Sequence, residues 1–256
     1  MEELNKYNIT NNPEKIFSSA SIGKVILNKM NLQRFKVQNP TFPKDVLGYI
    51  MTTYYGGRSE VKIRKTPTKI SLIDFTSMYP TVNILTNMDK FLIAESIEIS
   101  DATIEIQDFL NDVKIEDARK PEFWSKLNVI VLVKPDEYVI PLRMSFDKDE
   151  EAKNIGICQV TSDVNLWFTL ADLIAHKFLT DSTTKILKAL KFLPKGIQKE
   201  LKPINVLGID IDLRNDAGRM IQQIEGEAKE EAEKKAKHIL SLAMQRCAAQ
   251  HSMEST

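Results

Sequence analysis

The sequence predicts an α+β fold in which an antiparallel sheet is packed by helices and a long helix lies on the C-terminal side. Three observations carry that expectation. Short alternating or apolar runs stand between turn signals from Glu60 to Asp74 and from Asn128 to Val160. Segments with helical spacing flank them, at Ser18 to Met30 and Leu166 to Leu179. The stretch from about Asp216 to Gln250 repeats Glu and Lys four positions apart, as a solvated helix does.

In order along the chain, residues 1 to 14 are polar and Asn-rich and read as a loose lead-in. In SSASIGKVILNKM, Ile22, Val25, Ile26 and Met30 recur at helical spacing behind a serine-rich start suited to capping. QNPTFPKD, with two prolines, breaks that helix. The Gly56-Gly57 pair reads as a tight loop feeding a strand at Glu60 to Arg64. A turn at Lys65 to Thr68 and the apolar run Lys69 to Ile73, ending on Asp74, complete an antiparallel pair. Strands at Asn128 to Val133 and Tyr138 to Phe146 flank Lys-Pro-Asp-Glu and read as a hairpin, with a further strand at Ile155 to Val160. LWFTLADLIAHKFL reads as a helix, and KFLPKGIQKELKP as turn-rich. The last segment pairs Glu230 with Lys234, Glu231 with Lys235 and Glu233 with Lys237, leaving a narrow apolar stripe from Met220 to Ala243.

Bulk composition narrows the function classes. The 256 residues include 35 basic and 35 acidic side chains, so a global basic field that would draw in nucleic acid is absent and any such binding needs a local patch. The two cysteines, Cys158 and Cys247, have no CxxC partner, which argues against a disulfide framework or a zinc site. His176, His238 and His251 lack the spacing of a zinc trio. The N-terminus lacks the order of a signal peptide, and no apolar run approaches the roughly 20 residues of a spanning helix, so a cytoplasmic protein without a membrane partner is expected. Trp124 and Trp167 read as core anchors.

The chemistry concentrates in DFTSMYPTVN. A carboxylate at a strand end, followed by a helix start near Ser77, sets a possible metal ligand beside an anion-binding helix N-terminus. Asp74 would hold Mg²⁺, backbone amides from Thr76 to Met78 would face phosphate oxygens, Pro80 fits the first turn, and Tyr79 could stack under a sugar. The alternative is that Asp74 merely caps a helix and Tyr79 fills the core. Upstream, Tyr54-Tyr55-Gly56-Gly57-Arg58 combines permissive backbone with aromatic and basic side chains, a mixture suited to a phosphate backbone; an ordinary Gly-Gly turn is the plainer reading.

The order SASIGK, YYGGR, DFTSMYP resembles the family B DNA polymerases, whose motif A has the form Asp-x-x-Ser-Leu-Tyr-Pro and which carry a Tyr-x-Gly-Gly loop. The likeness touches residues from about 18 to 240. It implies a palm-type antiparallel sheet and a fingers-like C-terminal helix. Residues 1–50 would be the end of an exonuclease-like region with a linker, 51–180 a palm-like domain, and 181–256 an incomplete fingers-like region. It further implies that Asp74 binds both catalytic Mg²⁺ ions, that the Phe75 carbonyl adds a ligand, and that Tyr79 is the gate selecting deoxynucleotides. Thr76, Ser77 and Met78 would cradle the nucleotide, Tyr55, Gly56, Gly57 and Arg58 would contact template, and Lys237 would meet the triphosphate.

The pattern departs from the family in two places. Around Lys237 only the lysine of motif B survives, and that lysine also pairs with Glu233 at helical spacing. No Asp-Thr-Asp motif C is present, although two metals about 3.5–4 Å apart need more than one carboxylate. Asp210 and Asp212 alternate onto one strand face but precede the fingers-like helix, and they read as part of a solvated edge strand. The expectation is therefore a DNA-directed DNA polymerase fragment. It would transfer nucleotides from dNTP to a primer on template DNA and would need a second chain bearing motif C and a thumb. The alternatives are an inactive polymerase-derived module that binds DNA or a replication subunit, and an unrelated metabolic enzyme.

Overall fold

The computed structural model describes residues 19–55, 63, 65–72, 78–144, 154–206 and 209–215. Contacts divide the chain into two compact units. One holds residues 1–40, 74–97 and 194–256; the other holds 41–73 and 98–193.

The helices in chain order are α1 (Ser19–Lys29), α2 (Phe35–Gln38), α3 (Lys44–Thr52), α4 (Met78–Leu85), α5 (Met88–Ile93), α6 (Thr103–Asp112), α7 (Pro121–Trp124) and α8 (Leu170–Thr180). The strands are β1 (Ser96–Asp101), β2 (Val129–Val133), β3 (Tyr138–Met144), β4 (Asn154–Val160), β5 (Leu166–Thr169), β6 (Lys188–Lys195), β7 (Ile204–Val206) and β8 (Ile209–Ile211). A four-stranded sheet runs β1-β6-β2-β5, and β3-β4 and β7-β8 form separate two-stranded ladders.

The second unit explains why VIVLV is a strand. Antiparallel pairing sets Val131 opposite both Phe168 and Ala189, and Ile130 opposite Leu190. Successive side chains point to opposite faces. Val129, Val131, Val133, Phe168 and Ala189 therefore bury one face, with Ile106 and Leu110 of α6 and Leu170 and Leu173 of α8 in the same core. Ile130 and Leu190 bury the other face with Val46 of α3. On that side Trp167 stacks on Tyr49 at 4.8 Å between ring centres, the anchoring role expected of it. A strand covered on both faces reads as a continuous apolar run rather than an alternating one.

In the first unit, α1 buries Ile26, Leu27 and Met30 with Ile211 of β8. Gln198 is also buried there; its side chain accepts the backbone N–H of Gln33 at 2.9 Å and donates to the carbonyl of Leu92 at 3.1 Å. Paired this way, a buried amide carries little desolvation penalty.

Several sequence expectations are corrected. Residues 67–72 form no strand, and Ile70 and Leu72 are 82% and 94% exposed. An alternating apolar run buries a face only where a ladder holds it on a core, and none pairs with these residues among those described. The expected hairpin of Asn128 to Val133 with Tyr138 to Phe146 does not form, because β2 and β3 enter different sheets and β3 pairs with β4. The turn between them contains Glu137 at φ 55° and is tied to the next loop instead, through Glu137 N–H to Thr161 Oγ1 and Ser162 N–H to the Pro135 carbonyl, both at 3.0 Å. Leu166 to Thr169 are strand, and the helix starts only at Leu170. The turn-rich reading of KFLPK gives way to β6, which runs through to Lys195. The expected strand at Ile155 to Val160 is present as β4.

Candidate functional site

Most of the predicted site falls outside the described residues: Asp74, Phe75, Thr76, Ser77, Gly56, Gly57, Arg58 and Lys237. Met78 and Tyr79 open α4, with Met78 43% exposed. Asp210 ends up exposed on β8, taking a hydrogen bond from Asn205 at 2.7 Å. Asp212 lies past the strand end and is gripped by the Arg214 guanidinium at 2.6 Å, which holds its carboxyl below the usual range. The pair is thus split between two local partners. Among the described residues no group of three or more His, Cys, Asp or Glu side chains could hold a metal ion.

Tyr55 is a predicted site residue that lies among the described residues and beside a described cleft. It is partly buried beside a cleft of about 370 Å³, lined by Val139 and Pro141 of β3, Ile155 and Ile157 of β4, and Asp172, Ala175 and Leu179 of α8, with Thr53 and Thr169 at its edges. The β3-β4 register aligns Pro141 with Ile157, so alternate residues of the hairpin supply one apolar wall. On α8, positions 172, 175 and 179 fall on one stripe and supply the other.

The polar end of the cleft follows from helix capping. Thr169 is the N-cap of α8, and its hydroxyl accepts the Asp172 N–H at 3.2 Å; Asp172 Oδ2 in turn accepts the Thr169 N–H at 3.0 Å and its hydroxyl at 2.6 Å. Such a reciprocal box satisfies the donors left over at a helix start. Partial burial nevertheless raises the Asp172 pKa, outweighing these two hydrogen bonds. Burial, and then the Asp172 charge, also raise the Tyr55 hydroxyl, while Arg143 acts in the opposite sense. The Arg143 guanidinium lies 5.7 Å from the Tyr55 ring centre and donates to the Tyr54 carbonyl. Sequence reasoning found Tyr55 through the Gly-Gly loop beside it. It missed Asp172, whose signal was Thr169 followed three positions later by an acid, the capping-box spacing.

His176 lies on the same helix but serves the fold. Its Nδ1 accepts the Val139 N–H at 3.0 Å, so Nε2 carries the proton and donates to Ser182 Oγ at 3.2 Å. The ring packs on Tyr138 at 4.9 Å, and burial lowers its pKa. Among the described residues no helix is long and apolar enough to cross a membrane.

Comparison with known proteins directs attention to the C-terminal side of the chain. The family model of the RNase Y N-terminal region matches residues 197–251. Ribonuclease Y of Listeria welshimeri is 48% identical over 59 residues, 23% of this chain and 11% of the relative. Ribonuclease Y of Bacillus subtilis is 51% identical over 57 residues, 22% of this chain and 11% of the relative. Ribonuclease Y of Clostridium novyi is 58% identical over 45 residues, 18% of this chain and 9% of the relative. The chain thus spans about a tenth of the length of these curated relatives. No solved structure matches.

These matches correct the resemblance to family B DNA polymerases. They overturn the DNA-directed DNA polymerase, its nucleotidyl-transfer activity and replication role, and the inactive polymerase-derived module as well, because the proteins similar to this chain are ribonucleases. The physical ground of the error lies in the motifs. DFTSMYP is a short string, and a match of that length carries a high chance of coincidence, while at Lys237 one lysine in a Glu/Lys-paired stretch stood in for a whole motif. Lys237 lies inside the matched segment.

Proposed function

We propose that this chain takes part in RNA degradation, its C-terminal side serving as an RNase Y-type segment through which it associates with a ribonuclease of that kind. The observation that carries this reading is the match over residues 197–251, supported by identities of 48% and 51% to two such enzymes. The chemistry of the segment suits association. In the sequence Glu and Lys recur four positions apart, and Ala228, Ala232 and Ala236 share that spacing, the pattern by which a helix would offer a line of small residues to a partner helix. The beginning of the matched segment supports a firm attachment, since Gln198, Leu201 and Ile211 are buried.

The test is co-purification of the full chain with Bacillus subtilis Ribonuclease Y, together with cleavage of a labelled single-stranded RNA by that enzyme with and without the chain. Association that is lost when Ala232→Asp and Ala236→Asp charge the stripe is the expected result. Absence of association, with RNA cleavage unchanged, overturns the reading.

A further inference from the structure

We propose that the cleft beside Asp172 binds a small, uncharged, largely apolar molecule whose polar group is a hydrogen-bond donor. The cleft is lined by residues 53 to 179, outside the matched segment, so this inference does not depend on a role in RNA degradation.

The size fits. A volume of about 370 Å³ lies within the range of about 300–1,000 Å³ that encloses small organic ligands. The apolar walls, Val139, Pro141, Ile155, Ile157 and Leu179, favour a hydrocarbon or aromatic body.

The polar end selects the ligand's head group. Asp172 Oδ2 is taken twice by Thr169, whereas Asp172 Oδ1 has no hydrogen-bond partner among the described residues. Asp172 Oδ1 is not buried without a partner, so it stays within reach of water, and a ligand donor takes that water's place. An ionised carboxylate only accepts, so the ligand must donate. Arg143, stacked on Tyr55 at the same end, opposes a cationic head and favours a neutral N–H or O–H. The capping box fixes the acid, and the Arg143 contacts to Tyr54 and Tyr55 fix the rim, so the groups are held in place before a ligand arrives.

Indole offers an apolar body with a single N–H donor, and benzothiophene has nearly the same shape without one. Titration of the full isotope-labelled chain with each, followed by amide NMR shifts, tests the proposal. Indole is expected to shift amides of Thr53, Tyr55, Val139, Ile157 and Ala175 selectively, with at least tenfold tighter binding than benzothiophene. Asp172→Asn keeps an oxygen for the Thr169 N–H but turns the free acceptor into an NH₂ donor, so it is expected to abolish the preference for indole. Ala175→Trp, at an exposed position on the cleft wall, is expected to block both probes without unfolding the chain. Equal affinity for the two probes, shifts elsewhere on the protein, or a preference for indole that survives Asp172→Asn would each overturn it.

Discussion

His176 Nδ1 accepts the backbone N–H of Val139 at 3.0 Å, and this bond joins helix α8 to the first strand of the β3-β4 hairpin. Both partners of the candidate cleft are thereby held by one buried imidazole that is 1% exposed. Replacing it leaves a strand donor without an acceptor and opens a cavity. His176→Ala is expected to lower stability by about 2–4 kcal/mol, read as a shift of the urea midpoint at unchanged slope.

The same bond sets a pH dependence. Burial lowers the His176 pKa below its ordinary value of 6.5, so as pH falls the unfolded chain takes up the proton first. The contribution is complete above about pH 6.5 and is lost as pH falls from there through the lowered folded value. Urea midpoints measured from pH 8 to pH 5 should fall on the acid side. His176→Gln should flatten that fall.

Asp172 works in the opposite sense. Its folded pKa is raised from 3.8 by burial, so its contribution to stability is present below 3.8 and is lost as pH rises through the folded value. Asp172→Asn keeps an acceptor for Thr169 and removes the charge. Relative to the wild type it should gain stability between pH 4 and pH 7, measured by thermal midpoints. Thr169→Ala, which removes the cap itself, should cost about 1 kcal/mol.

Lys177 closes the far end of another helix. Its ammonium donates to the carbonyls of Leu110 and Asn111 at 2.7 and 2.6 Å, the last turn of α6, where a positive charge also meets the negative end of the helix dipole. Lys177→Met should lower stability by about 1 kcal/mol, with the loss diminished at high salt.

The exposed run at residues 67–72 gives a test of the opposite kind. Ile70→Glu and Leu72→Glu should each change stability by less than about 0.5 kcal/mol, because neither side chain leaves a core. A loss above about 2 kcal/mol in urea unfolding would mean that the run is buried as a strand after all.

Elements whose own pattern suffices to name them were legible in the sequence. VIVLV is a strand because β-branched and apolar side chains buried on both faces leave no alternative, and Ile26 and Met30 mark a helix by their four-residue spacing. The Thr169 to Asp172 spacing was also there to be read, and it places the start of α8 more accurately than the apolar stripe from Leu166 does.

Only the tertiary structure decided which strand pairs with which, and which apolar run is covered. Tyr138 to Met144 could have paired with β2 across a short turn, but Glu137 and Ser162 tie that turn to the following loop and β3 pairs with β4. The sequence by itself determined where strands and helices can form, because propensity and periodicity are local. Whether Leu72 is buried, or whether Tyr55 and Asp172 share a cleft, depends on contacts between segments distant along the chain, and no local pattern encodes those.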